Sequence, residues 1–174
     1  QEADPTLISI NKIANSLGLI SAYGEMKILR INGEEIGDYY YVEDIKNDFL
    51  SREYQLKNYS TISHISDWSR KEYINGNGHN SDQDLKVIHI EKKSDSLHPF
   101  AIYRYRKMCA YILDNNIDSL KTMIDIEYMA KYLTLASLFN DVHFMTGDNL
   151  KFIYNFNNSK FYPIFRAESG GFPI

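Results

Sequence analysis

The stretch 124–171 constrains the fold of this 174-residue chain more than any other part of it. Over 125–139 the apolar residues Ile126, Met129, Leu133 and Ala136 recur at helical spacing. Asp125 stands where an N-cap belongs, and Glu127 adds an acid to the first turn. The ten residues that follow, 140–149, are too polar to bury and hold Asp141, His143, Asp148 and two Asn. Two β-like runs, 151–155 and 160–164, then face each other across a turn of Asn and Ser and predict a hairpin. An acidic turn with Glu168 and two glycines closes the stretch. A loop acid and an Asn before a hairpin, with another acid after it, can bring oxygen ligands from distant positions around one cation-bound phosphate.

Composition narrows the functional classes. A net charge of −4 and the lack of any basic run disfavour nucleic acid as a partner. One cysteine, Cys109, makes neither an internal disulfide nor a zinc cluster, and its place in an apolar helical pattern reads as a structural thiol. No window reaches the ~18 apolar residues of a bilayer span. The chain carries 14 Tyr and 9 Phe, an excess that suits half-buried positions and sheet faces, and exposed aromatics of this kind would also suit sugar stacking.

Upstream, 6–17 carries Leu7, Ile10, Ile13, Ala14 and Leu17 at helical spacing, with Gly18 as the C-cap. Runs 26–31 and 39–42 predict a second hairpin around Asn32-Gly33, with Gly37 lengthening the connection beyond two residues. Ile45, Phe49 and Leu50 predict a short helix that begins almost at once after Glu43. The Ser, Asn, Gly, Asp and His-rich segment 58–84 predicts a long mobile excursion, most open to proteases near 75–79. A strand over 85–91 and a helix over 96–115 follow, the latter with Phe100, Tyr103, Met108, Tyr111 and Ile112 on overlapping apolar faces.

Each candidate site residue also has a plainer reading. Asp141 suits a turn, Asn149 can bond its own backbone at a strand start, and Glu43 can be an ordinary acid at a helix start. His143 has no second His at ligand spacing and reads as a solvated or orienting loop residue. Residue chemistry by itself reaches an α+β domain with an acidic loop.

An ordered set of short motifs goes further. Leu17-Gly18-Leu19, Ile31-Asn32-Gly33, Gly37-x-Tyr39 and Val42-Glu43 form a first block. Asp141, Asn149, Tyr154, Pro163-Ile164-Phe165, Glu168 and Gly171 form a second. In order and kind, the two blocks resemble the signature of the CotH family, the spore-coat protein H kinase-like proteins, and they account for roughly half the chain. The resemblance implies a protein-kinase-like α+β fold with an incomplete small lobe and a helical large lobe that ends in a C-terminal β-hairpin. It implies one CotH kinase-like domain over 1–174, truncated at both ends, with small-lobe residues 1–43 and large-lobe residues 44–174.

The same resemblance implies ATP, Mg²⁺ or Mn²⁺, and phosphoryl transfer to a protein hydroxyl. Asp141 would be catalytic, Asn149 and Glu168 would hold metal, and Glu43 would border the nucleotide. It also implies a setting in a coat, the cell envelope or the secreted fraction, with a protein substrate or assembly partner. Arg166 departs from the family pattern, since a cation stands where the first acid of the turn is expected, and a guanidinium repels Mg²⁺. Either Glu168 substitutes for the lost ligand, or the chain is a catalytically inactive kinase-like interaction or structural module.

Overall fold

The computed structural model describes residues 5–43, 45–64, 88–90, 98–139 and 150–167. In chain order the elements are α1 (Pro5–Ser16), β1 (Tyr23–Ile31), β2 (Glu34–Glu43), α2 (Asn47–Tyr54), β3 (Tyr59–His64), β4 (Ile88–Ile90), α3 (His98–Leu113), α4 (Ile117–Lys121), α5 (Ile126–Leu138), β5 (Lys151–Asn155) and β6 (Lys160–Pro163). The described residues thus form an α+β protein with two antiparallel sheets, one of two strands (β1-β2) and one of four in the order β4-β3-β5-β6.

The hairpin expected over 151–164 is present as β5 and β6, with Phe152 opposite Pro163 and Tyr154 opposite Phe161. Its turn is held by two Asx contacts: Asn155 Oδ1 accepts the Asn157 N–H at 2.9 Å, and Asn158 Oδ1 accepts the Lys160 N–H at 3.2 Å. β5 is an inner strand of its sheet, and alternation sends its side chains to two different cores. Phe152 and Tyr154 join Ile62, Phe161 and the α3 residues Ala101, Tyr105 and Met108. Ile153 points the other way, into a cluster with Phe49 and Leu50 of α2, Leu56, Ile20 and Ile164. A third cluster joins Ile10 and Ala14 of α1 to Leu19, Phe165 and the α5 residues Tyr132, Leu135 and Ala136. Helices therefore cover both faces of the four-stranded sheet.

Several sequence expectations need correcting. The segment 58–84 does not begin as an excursion: Tyr59–His64 is β3, paired along β5, because its buried residues Tyr59, Ser60, Thr61 and Ile62 alternate between the two cores. The protease-sensitive middle expected near 75–79 lies outside the described residues. The β1–β2 connection is a two-residue turn at Asn32-Gly33, both with positive φ (53° and 88°), as a tight primed hairpin turn requires. Gly37 (φ 136°) sits at a bulge, where the register shifts between Leu29 and Arg30.

The helix after Glu43 begins at Asn47. The helix of α5 spans Ile126–Leu138 as expected, and Asp125 caps it by accepting the Tyr128 N–H at 3.1 Å. Its inward face is nonetheless different from the one the aliphatics predict. Tyr128, Tyr132, Leu135 and Ala136 pack inward, whereas Ile126 and Leu133 are exposed. In α3 likewise Ala101, Tyr105 and Met108 are buried, while Phe100, Tyr103 and Ile112 are exposed. A tyrosine ring buries as well as an aliphatic chain if its hydroxyl finds a partner, so counting only aliphatics rotates the predicted face.

Candidate functional site

Among the described residues the two-stranded sheet gathers many of the exposed large apolar side chains, with others spread along α1 and α3 to α5. β1 and β2 form a long ribbon that departs from α1 and α2 at its base. One face presents Tyr23, Glu25, Lys27 and Leu29 beside Tyr39, Tyr41 and Glu43. There Lys27 is bonded to Glu25 at 2.9 Å and lies 4.3 Å from the centre of the Tyr41 ring; the Glu25 carboxylate raises the lysine pKa. The opposite face presents Gly24, Met26 and Ile28 beside Val42, Tyr40 and Asp38. Nine large apolar side chains of the ribbon are exposed, Ile28 and Ile31 by more than half. Solvated ribbons are ordinarily polar on at least one face, and this one is apolar on both.

Charge is distributed unevenly over the two strands. β1 carries Glu25, Lys27 and Arg30, while β2 carries Glu34, Glu35, Asp38 and Glu43 with no base. Arg30 pairs with Glu35 at 3.2 Å across the bulge. Glu43 is gripped by the guanidinium of Arg52 on α2, which places one nitrogen 2.9 and 2.8 Å from the two carboxylate oxygens. Hydrogen bonds to Glu43 and Glu53 raise the arginine pKa further.

The base of the ribbon is fixed by a polar network at the bend 19–22. The Tyr54 hydroxyl has Asn15 Oδ1 at 2.5 Å, Leu19 O at 3.0 Å and Ser21 O at 3.2 Å; its single proton goes to the nearest, and it accepts the Ser21 N–H at 3.0 Å. Tyr128 accepts the Ile20 N–H and donates to Pro163 O, both at 2.8 Å. Buried Ser21 donates to Asn11 Oδ1 at 2.8 Å, and Asn11 Nδ2 donates to the Tyr40 hydroxyl at 3.4 Å. Burial raises the pKa of both Tyr54 and Tyr128. These groups satisfy backbone atoms that the strandless bend leaves free, so their role is architectural. Sequence reasoning passed over Asn11, Asn15, Ser21, Tyr54 and Tyr128; the available signal was Asn11 and Asn15 one helical turn apart on the apolar side of α1.

Of the residues expected to form a phosphate and metal site, only Glu43 is described, and the structure places it in the pair with Arg52. Asp141, Asn149 and Glu168 lie outside the described residues. Arg166 is half-buried just beyond the Ser21–Phe165 bridge. Among the described residues no three His, Cys, Asp or Glu side chains gather as a metal site, and no helix is long and apolar enough to cross a membrane. Cys109 is a partly buried free thiol whose pKa burial raises, in keeping with a structural role. No protein-family model matches the chain, and no curated protein is significantly similar to it.

Proposed function

We propose that this chain is a protein–protein association module of kinase-like, CotH-related build, and that the β1–β2 ribbon is its contact surface. One observation carries the reading: a ribbon open to solvent on both faces over most of its length exposes nine large apolar side chains while its base is pinned by buried hydrogen bonds. Rigid presentation of apolar and tyrosine side chains lowers the ordering cost of binding. The Glu43–Arg52 pair supports the same reading, since it commits the expected nucleotide-border acid to fixing the ribbon on α2. Selection of a random peptide library against the full chain tests it. Saturable binders should emerge whose binding is lost in Ile28→Asp with the thermal midpoint unchanged. Failure to enrich any binder, or binders indifferent to that substitution, sinks the reading.

The order helix, two-stranded ribbon, crossing helix, long capped helix and C-terminal hairpin supports a second reading, phosphoryl transfer from ATP with Mg²⁺ or Mn²⁺ through Asp141, Asn149 and Glu168. A nucleotide at ~100 times its dissociation constant adds about 2.7 kcal/mol of stability. A metal-dependent rise of the melting temperature with ATP, abolished in Asp141→Asn, would favour this reading; no rise at millimolar ATP would remove it.

A further inference from the structure

We propose that the outer edge of β2 takes up an extended, basic polypeptide segment, with Lys or Arg alternating with apolar residues, as an added strand. The inference deepens the association reading and rests on it. In an antiparallel pair every second residue turns its N–H and C=O away from its neighbour, so β2, hydrogen-bonded to β1 alone, offers a row of donors and acceptors on its far side.

Native sheets protect such an edge with lysines or prolines, or by covering it; β2 has neither residue. Its charges are all acidic, and Glu34 and Asp38 enter no ion pair among the described residues. The bulge sets the two acids on opposite faces, Asp38 beside Tyr40 and Val42 and Glu34 on the face of Tyr39 and Tyr41. Charge selects the occupant. A second copy pairing β2 with β2 would bring the unpaired Glu34 and Asp38 toward a second acidic strand, and nucleic acid or an anionic lipid surface would meet the same repulsion. An alternating basic strand places its cations on the Asp38 face and its apolar side chains over Tyr39 and Tyr41 on the other.

The test titrates the full chain with a peptide alternating lysine and valine, its glutamate–valine counterpart, and a block peptide with the lysines and valines separated. Binding is read by fluorescence anisotropy at low and high salt, with amide exchange mapping the protected residues. The alternating basic peptide should bind saturably, weaken with salt and protect amides within 34–43. Both the acidic and the block peptide should bind about tenfold or more weakly. The exposed-site double substitution Glu34→Lys/Asp38→Lys should invert the preference between the two alternating peptides without moving the melting temperature. Equal binding of all three peptides, an unchanged preference in the double variant, or protection outside 34–43 overturns the proposal. So does absence of binding. If library selection meanwhile enriches acidic or helical ligands that Ile28→Asp abolishes, the association reading stands and this inference alone falls.

Discussion

Removing one hydroxyl at Tyr128 tests whether the bend 19–22 is held as the hydrogen bonds indicate. In Tyr128→Phe the ring still packs edge-on against Tyr162, with the present centroids 5.0 Å apart, so little apolar burial changes. What changes is polar: the Ile20 N–H and the Pro163 carbonyl each lose a partner at 2.8 Å. An unsatisfied buried polar group costs about 1–3 kcal/mol, and partial hydration of one of the two brings the expected loss to roughly 2–4 kcal/mol. For a chain of this size that lowers the melting temperature by about 4–16 °C. Urea unfolding followed by circular dichroism measures it, with Tyr103→Phe, at an exposed ring, as the control expected within about 0.5 kcal/mol of wild type. Equal stability of the two variants would refute the argument. The pH dependence supplies a second readout. Burial raises the folded-state pKa of Tyr128, Tyr54 and Tyr105, whereas an unfolded tyrosine titrates near ~10. The folded chain therefore keeps protons that the unfolded chain releases. Stability from these groups is fully present below about pH 10 and falls as pH rises beyond it, and the fall should be shallower in Tyr128→Phe.

Other outcomes follow from single contacts. A methyl group at Gly24 would come within 2.3 Å of the Tyr40 ring, so Gly24→Ala should swing that ring out, break its contact with Asn11 and speed amide exchange in 38–42. Asp125→Ala removes the cap of α5 and should cost about 0.5–2 kcal/mol in urea unfolding, while Asp125→Asn, which keeps an acceptor, should cost less. Arg52→Met frees Glu43 and should quicken exchange at the base of β2 with little change in the melting temperature; a large drop would show the pair to be a structural keystone.

Much of the architecture was legible because it rests on local chemistry. Asp125 before an apolar run, Asn32-Gly33 between β-like runs, and Asn and Ser between 155 and 160 each specify a cap or a turn within four residues. The role of 59–64 was not legible. Its polar Ser60 and Thr61 read as loop, yet both are buried because β5, some ninety residues later, supplies the partner strand. Partnership of that kind is set by long-range pairing that composition does not record. Tyrosines hid the inward face of α5 in the same way: the aliphatic spacing passed over Tyr128 and Tyr132, and only the packed fold shows which backbone groups the Tyr128 hydroxyl meets. Of the candidate site only Glu43 lies among the described residues; it was read as a nucleotide-border residue or an ordinary helix-start acid, and its partner Arg52 was missed, since nothing in one sequence ties residues nine apart across a strand end and a helix.

The bend and the ribbon are parts of one design argument. An isolated two-stranded ribbon is marginal in water, and this one carries apolar side chains on both faces, which adds to the cost of leaving it alone. Its described supports all lie at the base: Asn11 to Tyr40, Asn15 to the carbonyl of Ala22, and Arg52 to Glu43. Beyond Met26 and Tyr40 the described pairing is between its own two strands, and the primed turn at Asn32-Gly33 fixes the far end by local geometry. A base this heavily hydrogen-bonded fixes direction, and on the proposed association reading that direction sets how a partner meets the ribbon. On that reading, stiffness at the base, exposure along the length and acids along one edge serve the same requirement. They should fail together: loosening the base through Tyr54→Phe, which removes the partner of Asn15 and of the Ser21 N–H, should weaken ligand binding at the ribbon tip without touching a contact residue. Affinity unchanged in a Tyr54→Phe variant that remains folded would separate the two and leave the base with a purely stabilising role.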